Sequence, residues 1–135
     1  MGKFHLKNYG ALDIESLKQF LEAKVDQYNT RDFIDSDPIQ IPHSFTRKED
    51  IEISSLLTAT IAWGNRKIII KNSRQLMTLM DNAPYEFVTS HKQSDLKAFN
   101  GFVHRTFNAQ DAVQFIKSLK HIYNTYGGME FIFCK

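Results

Sequence analysis

The chain has 135 residues, 42% of them hydrophobic and 24% charged, with 11 Phe and 5 Tyr, which suits one modest hydrophobic core and excludes a disordered tail. Its net charge is +2 and its single cysteine is Cys134, which excludes an internal disulfide framework and a Cys-based zinc site and fits a reducing cytoplasm. No stretch approaches the ~20 apolar residues of a membrane span, and the amino terminus, MGKFHLKNYG, lacks the apolar core of a secretory signal, so the expected location is cytoplasmic.

The first element is IESLKQFLEAKVDQY, where Ile14, Leu17, Leu21, Val25 and Tyr28 recur at helical spacing. Asp13 suits its N-cap and Glu15 its first turn, and Asn29 and Thr30 end it. The following RDFIDSDPIQIPHSF contains Pro38 and Pro42, which disfavour both helix and central strand. Its Phe33, Ile34, Ile39, Ile41 and Phe45 are too apolar for a free linker, so the expectation is an ordered, extended connection pinned onto the core. Thr46 and Glu49 form a T-x-x-E capping box ahead of IEISSLLTATIAW, whose apolar residues on several faces predict a central helix.

Gly64 breaks that helix and Asn65 caps the next, RKIIIKNSRQLMTLM. Ile69, Ser73, Leu76 and Met80 share its inner face, with Ile68 and Leu79 widening it. Pro84 fits the first position of another helix, a short helix or turn covers 93–99, and Gly101 opens a connection. Asn108 and Asp111 cap an amphipathic helix to about Asn124, lined inside by Ala112, Phe115, Ile116, Leu119 and Tyr123 and stopped by Gly127 and Gly128. Met129, Phe131, Ile132 and Phe133 read as the start of one more buried helix. The expected fold is all-α, a single compact bundle of about five or six helices over 1–135 with ordered Pro-containing connections. The apolar ending further suggests the amino-terminal portion of a longer protein whose carboxy-terminal part would be a partner.

Charge is unevenly distributed. Residues 11–52 hold ten acids and five bases, a balance of −5, and residues 53–121 hold four acids and nine bases, a balance of +5. Such polarity favours an anionic partner at the basic end or packing of the two halves on each other. Within the basic part, Lys67, Lys71 and Arg74 at i, i+4 and i+7 share a helix face, and Arg66 joins its first turn. Cations at a helix amino terminus oppose the dipole, whereas up to four free backbone N–H groups there suit a phosphate. Arg66, Lys67, Lys71 and Arg74 are therefore candidate phosphate contacts, and the alternative is a solvated face. Trp63 at the helix end is expected in the core, and Gly64 and Asn65 have structural roles. His104 and Arg105, in FVHRTF, offer either a further phosphate contact through Arg105 or, on fewer assumptions, a clasp on the acidic 32–37 loop.

Asp37, His43 and His104 are the alternative metal ligands, at a spacing that matches no standard signature. His43 after Pro42 fits a loop-orienting buried hydrogen bond. No cofactor is expected, because Rossmann and phosphate-loop glycine patterns and the G-x-S-x-G elbow are absent. Cys134 has no nearby base in sequence.

Taken together and in order, DPIQIPHSF, IAWGNRK and HRTFNAQD resemble a bacterial family known only as a conserved domain of unknown function, over residues 14–133. Members of that family are typically about twice this length, which also implies an amino-terminal portion. More distantly, LLTATIAWGN followed by RKIIIKNSRQLMTLM is similar to the early helical core of helix-hairpin-helix DNA glycosylases. This resemblance implies a nucleic-acid partner, with the catalytic Asp and the hairpin lying outside the matched residues. No residue of 1–135 inherits a catalytic role from it. The candidate functions are then a helical domain contacting nucleic-acid phosphates, a metal-dependent hydrolase, or a structural and interaction domain.

Overall fold

The computed structural model describes residues 13–134, and the amino-terminal MGKFHLKNYG reading lies outside them. The fold is all-α. Among the described residues there are eight α-helices, one 3-10 turn and a two-stranded hairpin. The chain divides after Asp35 into two units.

The first unit carries α1, Ile14–Tyr28, capped by Asp13, whose carboxylate accepts from the Ser16 backbone N–H at 2.9 Å. Helical spacing of the apolar residues gave the correct bounds, yet α1 contains no buried residue. Tyr28 meets Phe33 edge to face at 6.2 Å.

The second unit holds the core. The connection expected to be extended is instead helical: α2, Arg31–Ser36, begins in the first unit, and α3 spans Gln40–His43. Pro42 sits in the first turn of α3, where its missing N–H has no intrahelical acceptor to lose. Ile41 and Pro42 are buried there, so the segment is ordered as expected, by helical turns. His43 is exposed rather than buried, because a turn of helix points it away from the Ile41 side.

α4, Lys48–Thr60, starts one residue later than the T-x-x-E pattern requires. Its N-cap is Arg47, with no side-chain cap bond, and Glu49 instead accepts from Arg47 Nε at 3.0 Å. The third helical residue is then Asp50. Its carboxylate takes the Tyr85 backbone N–H at 2.8 Å and so caps a neighbouring helix, α6, Pro84–Ser90. Ile53, Leu57 and Ile61, spaced by four, are almost wholly inaccessible and form one stripe. α4 packs on α3, α6 and α5, Arg66–Leu79, as the central element.

α5 buries Ile69, Asn72, Ser73, Leu76 and Met77, with Met80 just beyond. Ile68 does not widen that face. It stands about 100° of rotation from Ile69 and is exposed. After the 3-10 turn, Asp95–Phe99, comes a hairpin the sequence reading did not include, β1 Val103–His104 with β2 Phe107–Asn108. α7, Ala109–Tyr126, has the full capping box of Asn108 with Asp111 and ends at left-handed Gly127, φ 79°. α8, Met129–Phe133, is the expected final helix, but only Met129 is buried, and Phe131, Ile132 and Phe133 are exposed.

Tyr123, on α7, ties α7 to α4 by donating its hydroxyl to Glu52 at 2.8 Å. Burial, then the Glu52 carboxylate, hold the phenol well above its ordinary value. A raised folded-state value means the stabilisation is complete below the ordinary phenol range near 10 and declines as pH climbs above it. Urea midpoints measured from about pH 8 to about pH 11 should fall for the native chain and fall less steeply for Tyr123→Phe.

Candidate functional site

The site is built around the bend between α4 and α5. Gly64 turns the chain at φ 111°, a left-handed conformation that glycine adopts without a Cβ clash. A Cβ there would also come within 2.8 Å of Arg105 Nη1. Asn65 adopts an extended conformation and accepts from the Lys67 and Ile68 N–H groups at 3.0 and 3.3 Å. Its carbonyl takes the Ile69 N–H at 3.0 Å. Of the four N–H groups that the start of α5 leaves without an intrahelical acceptor, two, those of Lys67 and Ile68, are thereby engaged by the Asn65 side chain. The helix end, expected to present all four to an anion, presents fewer. Asn65→Ala removes two of these bonds and should cost about 0.5–2 kcal/mol in urea denaturation, with Asn65→Asp retaining most of the stability.

Trp63 is not in the core. It is 42% exposed. Its ring meets His104 edge-on at 5.9 Å and carries the Arg105 guanidinium 4.8 Å from its centroid. Arg105 lies at the tip of the hairpin with φ 56°, an uncommon conformation for a side-chain-bearing residue. It therefore lies against the α4–α5 bend, and the base that reaches the acidic loop is Arg66, whose Nη2 is 3.9 Å from Asp37.

His104 is buried and engaged at both ring nitrogens. Asn72 Nδ2 is 2.9 Å from Nδ1 and 3.4 Å from the Val103 carbonyl, and His104 Nε2 is 3.4 Å from the Trp63 carbonyl. Because the Asn72 amide must donate to the Val103 carbonyl, it also donates to Nδ1, which leaves the His104 hydrogen on Nε2, aimed at Trp63. This network links the bend, α5 and the hairpin. Asp37, His43 and His104 do not converge, and among the described residues no three His, Cys, Asp or Glu side chains could hold a metal ion together.

The four bases of α5 are all exposed but not equivalent. Arg66 faces Asp37, and Arg74 donates to Gln40. The side-chain ammonium groups of Lys67 and Lys71 engage no ion pair or hydrogen bond among the described residues. At ~100° per residue, Lys67, Lys71 and Arg74 fall within an arc of about 60°, opposite the Ile69 and Leu76 side. The residues the sequence reading missed as partners are Asn72 and Gln40. Both are polar residues whose partners lie more than thirty positions away, so local pattern gave no signal.

The family model described as Protein of unknown function (DUF2400) matches residues 37–135. The chain belongs to this family. The DUF2400 match starts at Asp37, the partner of Arg66, and contains the bend, the α5 bases and the hairpin, while α1 precedes it. The resemblance to a domain of unknown function therefore holds, over a shorter span than 14–133. Neither the curated proteins nor the solved structures yield a match to the chain.

Proposed function

We propose that this DUF2400 domain contacts nucleic-acid phosphates through the exposed face of α5. Lys67, Lys71 and Arg74 make the contacts and Arg105 flanks them from the hairpin tip. One observation carries the reading: three cations occupy one narrow exposed arc, and the side chains of two of them have no partner among the described residues. An arc buried against other elements would instead have favoured a purely internal packing role. Phosphate contacts of this kind orient a duplex and carry no sequence information, so the role assigned to this face is positioning of nucleic acid. The sequence likeness to the helical core of base-excision glycosylases is compatible with that role and assigns no catalytic residue here.

Titration of a short fluorescein-labelled duplex with the purified chain, followed by anisotropy at low salt, tests the proposal. Saturable binding that weakens on adding salt is expected. A flat anisotropy signal at low salt would overturn it.

A further inference from the structure

A groove of about 550 Å³ opens between α3, α4 and the start of α5, within the size range of small-molecule sites. It lies in the second unit alone. Its walls are apolar: Pro38, Pro42, Ala59, Ala62 and Ile69. Its polar side chains are those of Asp37, Ser55, Thr58 and Arg66. Asp37 and Arg66 both line it, with 3.9 Å between their nearest charged atoms, a loose pairing that leaves hydrogen-bonding capacity on both sides. Thr58 also lines it and is 4% exposed. Its hydroxyl has no hydrogen-bond partner among the described residues, although buried hydroxyls normally find one.

We propose that this groove binds a small, neutral, flat molecule with an apolar body and one polar edge that carries a donor beside an acceptor. Apolar walls suit the body. The mouth is electrically balanced: a guanidinium donates to the ligand's acceptor and a carboxylate takes its donor. An anionic ligand gains Arg66 but meets Asp37, and a cation meets the reverse conflict. A purely apolar ligand leaves the polar groups at the mouth desolvated without partners, which carries a penalty. The primary carboxamide is the smallest group with the required edge. This site is distinct from the phosphate-contact arc, since Lys67, Lys71 and Arg74 do not line it.

The test uses benzamide, with benzoate and toluene as the charged and apolar counterparts, titrated into the full chain and followed by methyl NMR. Benzamide should shift the Ala59, Ala62 and Ile69 methyls saturably, with a dissociation constant of about 1–10 mM for so few atoms. Benzoate and toluene should bind at least about fivefold more weakly, as expected when a polar edge is mismatched. Asp37→Asn, which preserves the bond to the Ile39 N–H, and Arg66→Gln should each weaken benzamide by a similar factor and leave toluene binding no weaker. Ala59→Leu, on an exposed helix position, should block all three. Unsaturable shifts, toluene binding equal to benzamide, or benzamide binding that survives Ala59→Leu would each overturn the proposal.

Discussion

Phe102→Ala should destabilise the chain by about 3–5 kcal/mol, read from urea denaturation. The ring is 1% exposed and lies just before the hairpin. It meets Phe107 edge-on at 6.3 Å, and Phe107 in turn meets Phe115 of α7 at 5.6 Å. Truncation removes the transfer free energy of the ring and leaves a cavity whose neighbours come from several elements, so collapse is incomplete. For a domain whose whole stability is of order 5–15 kcal/mol, this is a large fraction. The same substitution loosens the hairpin that holds Arg105 on Trp63 and His104 beside Asn72. Phe102→Leu, which keeps much of the volume, should cost under half as much. A cost below about 1 kcal/mol for Phe102→Ala would mean the ring is not part of the packed core.

The second large effect is on binding. Neutralising Lys67, Lys71 and Arg74 together, each to Gln, removes three of the exposed charges on α5 without touching its buried side. Each phosphate contact contributes about 0.9 to the dependence of log affinity on log salt, so three contacts give a slope near about −2.7. Raising salt from about 50 to about 200 mM then weakens binding roughly 40-fold through these three contacts, and the triple variant loses that share of the response. Arg105 could retain about one contact's worth. Stability should change little, since exposed charge substitutions usually lie within about 0.5 kcal/mol. The Arg74 bond to Gln40 is an exposed one.

Elements with local signals were legible in the sequence. The α1 and α7 bounds, the Asn65 cap, the Asn108 capping box, the Gly64 break and the Gly127 stop all depend on residues within a few positions of one another. The inner face of α5 followed from helical period. What failed depended on competition or distance. Thr46 and Glu49 had the spacing of a cap, but Arg47 and Asp50 took the cap and third positions, and Asp50 serves α6. Pro38 and Pro42 argued against helix, yet proline is tolerated in the first turn that α3 provides. Trp63 followed an apolar helix and so read as core, whereas a hairpin far along the chain supplies His104 and Arg105 as its neighbours.

The candidate site was legible as a list of bases and not as an arrangement. Arg66, Lys67, Lys71 and Arg74 were visible from spacing. That Arg66 would face Asp37 across a groove, while Lys67 and Lys71 stayed unpaired, follows from the path of α3 past α5, which no local pattern encodes. The expected set of free N–H groups shrank for a related reason: Asn65 satisfies two of them with one side chain. The phosphate assignment therefore rests on side-chain charge along α5 more than on its helix end.

The most direct measurement is the salt slope of duplex binding for the native chain beside the Lys67→Gln, Lys71→Gln, Arg74→Gln triple variant. The slope should flatten by about 2–3 in the triple variant, and affinity at low salt should fall with it. Equal slopes and equal affinities for the two chains would contradict the phosphate assignment.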